Sequence, residues 1–230
     1  MFYFNPIYFL FALPALTLGL YAQFKVRSAY EKYQRVRNAS NMGGFEAAQR
    51  LLSISGLQNV GIQETRGTLS DHYDPRNRTL YLSSGVGRSP SVASLGIVAH
   101  EVGHAVQHAQ NYGPMRLRSA IVPVVQIGSW LGPIIFLAGF LLQIPNMPLI
   151  GLVLFSSTLV FAVVTLPVEL DASKRAVALL KDGRMISATE EQGVRSVLSA
   201  AALTYVAAVV QALSTILYYL FLLSGSRSRR

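Results

Sequence analysis

The segment His100-Glu101-Val102-Gly103-His104 carries the residue types from which proteins build a catalytic metal site. Residues four apart lie on the same face of a helix, so the imidazoles of His100 and His104 can point at one metal ion. Glu101 projects from the neighbouring flank, where its carboxylate reaches a metal-bound water without being a ligand. The pattern therefore predicts two metal ligands, His100 and His104, and one general base, Glu101.

The surrounding residues favour this interpretation over an ordinary polar helix face. The helix is otherwise made of Val, Ala, Leu, Ile and Gly, and burying imidazoles and a carboxylate unpaired among them would be costly. His108 continues the spacing of four, but helical rise puts it about 12 Å from His100, too far for the same tetrahedral ion. We expect His108 to lie beside the site or at the surface.

A catalytic zinc ion needs a third protein ligand, and the chain has no Cys to supply it. His72 and the carboxylates remain. Glu169 ends a stretch of 50 uncharged residues, and a carboxylate at a membrane edge is a functional candidate. Its alternative role is an ion pair with Lys174 or Arg175. Asp171 is either a rival ligand or an acceptor for an imidazole N–H.

The chemistry that such a site performs is hydrolysis. Zinc lowers the pKa of its bound water from about 15.7 to about 7, and Glu101 would pass the released proton to the departing amine. A hydrogen-bond donor must also face the oxyanion, and His72, Tyr73 and Arg175 are the candidates. The sequence does not choose among them, and Asp74-Pro75 beside them also suits a simple turn.

The distribution of apolar residues predicts a membrane protein. Hydrophobic residues make up 51% of the 230-residue chain, and three stretches contain no Asp, Glu, Lys or Arg: Met1 to Phe24, Ser119 to Val168 and Ser196 to Ser226. The middle stretch is too long for one helix, and its Gln143 to Pro148 segment indicates a turn. We therefore predict four spans, at about residues 3–23, 119–142, 148–167 and 200–223.

The basic residues predict the orientation of these spans. Of 20 Lys and Arg, 17 lie between Lys25 and Arg118 or between Lys174 and Arg195, so the positive-inside rule puts both segments in the cytoplasm. The net charge of +9 is thus explained without nucleic acid. The first span precedes Lys25 and lacks a positive start, which favours an uncleaved anchor over a signal peptide. The basic C-terminal tail conflicts with this orientation, because four spans place it outside unless the last is re-entrant.

Weaker patterns predict the elements that position the site. A helical pattern covers residues 28–52, with an interruption at 38–44, and ends at Ser55-Gly56. Two short alternating runs at 59–63 and 79–83 flank a turn-forming segment and predict a small hairpin or meander. A buried helix follows Ser89-Pro90-Ser91, which can cap its start, and this helix carries the metal motif.

Four motifs together resemble those of the YugP-like neutral zinc metallopeptidases of bacterial membranes. They are Leu69-Ser70-Asp71-His72-Tyr73-Asp74-Pro75-Arg76, Leu80-Tyr81-Leu82-Ser83, Ala99-His100-Glu101-Val102-Gly103-His104-Ala105-Val106-Gln107 and Pro167-Val168-Glu169-Leu170-Asp171-Ala172-Ser173. The chain is more loosely similar to the HtpX-type membrane proteases, which also put two spans between the zinc motif and a ligand Glu.

The resemblance implies a particular site and fold. It implies Glu169 as the third ligand of a gluzincin-like cytoplasmic site, and substrate binding by edge pairing to the strand at 79–83. Ser173 stands where HtpX-type enzymes tend to have Asp, so Asp171 is left as the candidate for orienting a ligand. The expected fold is a mainly α membrane protein with about four transmembrane helices and a small zincin-like α+β domain. The expected segments are an anchor at 1–24, a zincin-like domain at 25–118, a transmembrane hairpin at 119–168, a helix with the third ligand at 169–195, and a last span with a basic tail at 196–230.

The function predicted from these observations is that of a zinc-dependent endopeptidase in the bacterial inner membrane. The protein would cross the membrane several times, with its active site on the cytoplasmic side. It would cut membrane or membrane-proximal proteins. It could act as an oligomer or with a membrane partner protein. A zinc-binding scaffold without proteolysis is the alternative, but a structural site has no use for Glu101. A channel or transporter is disfavoured because the spans contain no charged residue.

Overall fold

The computed structural model describes residues 6–227, and the chain is mainly helical. The expectation of a mainly α protein with a small sheet is confirmed. The elements are the helices α1 (Pro6–Gln34), α2 (Gly44–Ile54), α3 (Ser84–Gly87), α4 (Val92–Ala109), α5 (Gly113–Leu141), α6 (Met147–Asp182) and α7 (Ala188–Arg227), and the strands β1 (Gly61–Thr65), β2 (His72–Asp74) and β3 (Thr79–Ser83).

Four of the helices, α1, α5, α6 and α7, are long and apolar enough to cross a membrane. Each predicted span falls on one of them, and the predicted turn separates α5 from α6. The helices continue beyond the apolar runs, since backbone hydrogen bonding in a helix persists where the side chains become polar. The start of the first predicted span and the tail residues Arg229 and Arg230 lie outside the described residues.

The chain divides into two compact units. Among the described residues, the first unit comprises those up to 22, those at 117–166 and those from 204 onward. In this unit α5 and α6 approach each other closely at glycine residues. A Cβ atom added at Gly132 would lie only 2.9 Å from the carbonyl oxygen of Gly151, so a larger side chain would not fit there. Small residues in the apolar helices therefore serve packing within the chain at this position.

The second unit comprises residues 23–116 and 167–203 and contains one hydrophobic core. Helix α4 is almost entirely buried and packs against α2 and the sheet. The side chains of Leu51, Leu80, Leu95 and Leu180 are fully buried in this core. Ser91 caps α4, since its side chain accepts a hydrogen bond from the Ser94 N–H at 3.1 Å.

The sheet has the order β1-β3-β2, which corrects two expectations. The two predicted runs, at 59–63 and 79–83, overlap β1 and β3, which pair in parallel and so form neither a hairpin nor part of a meander. The antiparallel partner of β3 is β2, which lies in the segment predicted to be a turn. Sequence alternation indicates strands but not their partners, which depend on contacts distant in sequence. Strand β3 is central and both of its edges are occupied, so the segment 79–83 cannot add a substrate strand by edge pairing.

Candidate metal site

Three side chains in the second unit converge as a group that could hold a metal ion. His100 and His104 come from α4 and Glu169 from α6, and one ligand atom from each lies within 4.8 Å of the others. The Glu169 Oε2 atom is 3.2 Å from His100 Nε2 and 3.4 Å from His104 Nε2. The structure thus brings together the three residues that the sequence offered as ligands.

The donor set and its spacing fit zinc. Two imidazoles and one carboxylate form a common ligand set of catalytic zinc sites, which leave a fourth position for water or substrate. Donors about 2.0–2.1 Å from one tetrahedral ion are roughly 3.3–3.4 Å apart. The two measured distances from Glu169 Oε2 have this spacing, so the three side chains can bind zinc with little rearrangement.

The second nitrogen of each imidazole also has a partner. His100 Nδ1 lies 3.2 Å from the hydroxyl of Ser173, and His104 Nδ1 lies 2.9 Å from Oε1 of Gln107. Partners of this kind orient an imidazole and determine which nitrogen carries the proton. With Nδ1 hydrogen-bonded in both rings, both Nε2 atoms are left to face Glu169.

Glu101 is buried beside the two histidines in α4 and is fixed by the sheet. Its Oε2 accepts a hydrogen bond from the backbone N–H of Tyr73 at 3.0 Å. Burial raises the pKa of Glu101, while the neighbouring imidazoles of His100 and His104 act in the opposite direction. A carboxylate with a raised pKa is better matched to accept a proton near neutral pH.

The side chain of Tyr73 lies along α4. Its hydroxyl is 2.8 Å from Nδ1 of His108, so His108 is a neighbour of the site residues rather than an isolated surface histidine. Strand β2 is held in place at its start by Asp71, whose carboxylate accepts the backbone N–H of Ser83 at 2.7 Å. The strand therefore presents both the amide and the phenol of Tyr73 to α4.

His72 lies on the opposite face of the sheet from Tyr73. It pairs with Tyr81 across the strands while Tyr73 pairs with Leu80, and successive strand residues point to opposite faces. Its ring is exposed, stacks on Tyr81 with centroids 4.8 Å apart, and its Nδ1 donates to the Ser70 carbonyl at 2.8 Å. The structure brings Tyr73, but not the ring of His72, to α4.

Asp171 does not contact an imidazole among the hydrogen bonds of the described site but binds the residue that does. Its Oδ2 accepts a hydrogen bond from Nε2 of Gln107 at 2.8 Å and pairs with Arg175. Gln107 was not singled out from the sequence. A signal was available, because it is a polar residue one helical turn after His104 in an otherwise apolar helix.

Comparisons with known proteins agree with the motifs. A family model described as "Putative neutral zinc metallopeptidase" matches residues 8–224. The chain is 43% identical over 221 residues to the "Putative membrane protease YugP" of Bacillus subtilis (strain 168), and the match covers 96% of this chain and 98% of that protein. No solved structure matches the chain.

Proposed function

Because the chain belongs to the family of neutral zinc metallopeptidases that its motifs resemble, we propose that it is a membrane-integrated, zinc-dependent endopeptidase. Its substrates are proteins or peptides in or near the lipid bilayer. The observation that carries this proposal is the convergence of His100, His104 and Glu169 beside the buried carboxylate of Glu101. A scaffold that binds zinc only for structure would not need that carboxylate.

The roles follow from the side-chain chemistry. His100, His104 and Glu169 would hold zinc, and a bound zinc ion would acidify a water molecule and polarise the scissile carbonyl. The carboxylate of Glu101 accepts the proton of the attacking water and delivers it to the leaving amine. Tyr73 donates its backbone N–H to Glu101 Oε2, so one carboxylate oxygen is held while the other is available for proton transfer.

Of the three candidates for the oxyanion donor, Tyr73 is the one whose backbone N–H and hydroxyl both contact α4, the helix that carries two of the proposed metal ligands. Its hydroxyl is hydrogen-bonded to His108. Arg175 is engaged by Asp171 and by the side chain of Gln110, and the ring of His72 lies on the other face of the sheet. We therefore assign the donor role to Tyr73 and a substrate-contacting role at most to His72.

The finer classification belongs to the same proposal. A helix with two His ligands and a Glu ligand from a later helix support a gluzincin-like site in a zincin-like domain. Four apolar helices and a clustering of basic residues between them support a multi-pass protein of the bacterial inner membrane. In this arrangement residues 25–118 and 169–195 face the cytoplasm and carry the active site.

Replacing Glu101 by Gln tests the proposal. The purified protein in detergent is given an unfolded protein substrate, and its zinc content is measured. Glu101→Gln should keep zinc but lose about 10²–10⁴-fold in turnover, because it lacks the base. His104→Ala should lose both the zinc and the turnover, because it removes a metal ligand. Glu46→Gln is the matched control, since Glu46 is exposed on α2, and it should behave as the unaltered protein.

Two outcomes would contradict the assignment. Full proteolysis by Glu101→Gln would exclude Glu101 as the base. If the unaltered protein neither bound zinc nor cleaved the substrate, whatever the zinc concentration supplied, the assignment as a zinc peptidase would itself be excluded.

A further inference from the structure

Gln107 is a fully buried polar residue whose amide touches both metal-bearing helices. It lies in α4, three residues after His104, and no part of the residue is exposed to solvent. Its side chain makes three hydrogen bonds, to His104, to the backbone carbonyl of Val168 and to Asp171. A buried amide with this many partners is expected to have one fixed orientation.

The partners determine that orientation. Nε2 of Gln107 donates to the Val168 carbonyl oxygen at 2.8 Å and to Asp171 Oδ2 at 2.8 Å. A carbonyl and a carboxylate can only accept hydrogen bonds, so the NH₂ group must face them. The carbonyl oxygen of the Gln107 amide is thereby turned toward His104, where it can only accept.

This orientation fixes the protonation of one nitrogen of His104. Nδ1 of His104 lies 2.9 Å from Oε1 of Gln107 and must carry the hydrogen of that bond. The proton of the neutral ring is then on Nδ1, and the lone pair is on Nε2. This Nε2 atom is the one that lies 3.4 Å from Glu169 Oε2 in the ligand group, so the tautomer is the one that a metal requires.

The far end of the same network lies on α6. Asp171, which receives the Gln107 amide, pairs with Arg175 one turn later, and the guanidinium of Arg175 also reaches Oε1 of Gln110 at 2.6 Å. The ion pair holds the carboxylate of Asp171, whose Oδ2 accepts from both Arg175 and Gln107. A chain of hydrogen bonds therefore runs from Arg175 and Asp171 through Gln107 to the ligand His104.

We propose that Gln107 is a positioning residue for the metal: it holds His104 in the Nδ1-protonated tautomer and joins the ligand-bearing turns of α4 and α6. The inference rests on the proposed function, since it concerns the same metal site. It adds a role for a residue outside the ligands and the base, and it gives Asp171 a role that requires no contact with an imidazole. Its natural readout is zinc affinity rather than catalysis.

Removal of the amide should weaken zinc binding. Gln107→Met keeps a flexible side chain of similar length but neither donates nor accepts as the amide does. The zinc dissociation constant, measured by competition with a chromophoric chelator on detergent-solubilised protein, should rise by about 10–100-fold. Gln49→Met, at an exposed position of α2, is the matched control and should leave the constant within about twofold.

An exchange of acceptor and amide separates positioning from general packing. Asp171→Asn alone replaces the charged acceptor of Gln107 by a weaker neutral one and should weaken zinc binding less than Gln107→Met does. The double variant Gln107→Glu with Asp171→Asn places the acceptor beside His104 and returns a donor from position 171. It should bind zinc about tenfold more tightly than Gln107→Glu alone, but more weakly than the unaltered protein, because the Val168 carbonyl loses the donor that Gln107 supplied.

The outcomes distinguish a failure of the proposed zinc peptidase function from a failure of the proposed role of Gln107. If the unaltered protein binds no zinc, the proposed function itself is wrong. If it binds zinc and Gln107→Met binds equally tightly, only the role of Gln107 is wrong. If Gln107→Met does not fold, the comparison of the double variant with Gln107→Glu decides. A double variant that binds zinc no more tightly than Gln107→Glu alone overturns the inference.

Discussion

At the scale of single residues, the candidate site depends on neutral partners placed behind charged or metal-binding groups. The hydroxyl of Ser173 lies behind His100 and the amide of Gln107 behind His104, while the N–H of Tyr73 holds Glu101. Each of these contacts orients a reactive group without adding a charge next to the metal. Orientation of this kind would keep the proposed ligands and the proposed base in the geometry that hydrolysis requires.

A prediction at this scale separates Tyr73 from His72. Tyr73→Phe removes the hydroxyl that we assign to the oxyanion but keeps the backbone N–H to Glu101, so kcat should fall by roughly 10²-fold with zinc content and KM little changed. His72→Ala removes an exposed ring and should change kcat by no more than about threefold. Steady-state kinetics with a fluorogenic peptide, together with zinc analysis, check both. Equal losses in the two variants would contradict the assignment.

At the scale of elements, local sequence patterns predicted the helices but not which strands pair. The cap at Ser91, the helix with the metal motif and the four apolar helices follow from signals within about 20 residues. The carboxylate of Glu169 was found by its position after an uncharged stretch. The parallel pairing of β1 with β3 and the link through Gln107 join segments far apart in sequence, and no local pattern reports such contacts.

The approach of α4 to α6 gives a prediction for the element scale. A Cβ at Gly103 would lie 2.7 Å from the carbonyl oxygen of Ala172, which belongs to the turn of α6 after Glu169. Gly103→Ala must push the helices apart, so the free energy of unfolding should fall by about 1–3 kcal/mol and zinc affinity should fall with it. The gain in helix propensity, about 1 kcal/mol, does not offset this.

The same helix provides the control for that change. A Cβ at Gly96 would meet a methyl group of Val194 at 3.4 Å, which is an ordinary contact, so Gly96→Ala should be neutral or slightly stabilising. Denaturant unfolding and zinc titration of both variants measure the difference. Zinc binding by Gly103→Ala as tight as that of Gly96→Ala would show that the close approach does not position the ligands.

At the scale of the whole molecule, charge-free and charged segments alternate along the chain. The four apolar helices and the second compact unit, which contains the candidate metal site, together include all the described residues except the turn at 142–146. The basic residues between Lys25 and Arg118 predict that this unit faces the cytoplasm. A protease with its site on that side would act on cytoplasmic or membrane-embedded segments of its substrates, and not on secreted proteins.

Cysteine labelling tests this orientation, and the chain suits the experiment because it has no native Cys. Ile144→Cys places a thiol in the exposed turn between α5 and α6, and Gln58→Cys places one on the surface of the second unit, which contains the candidate metal site. In intact protoplasts a membrane-impermeant maleimide should label Ile144→Cys but not Gln58→Cys. After permeabilisation it should label both, and the unaltered protein should stay unlabelled throughout. Labelling of Gln58→Cys from outside would place the metal site on the outer face, because a charged thiol reagent cannot cross the apolar bilayer.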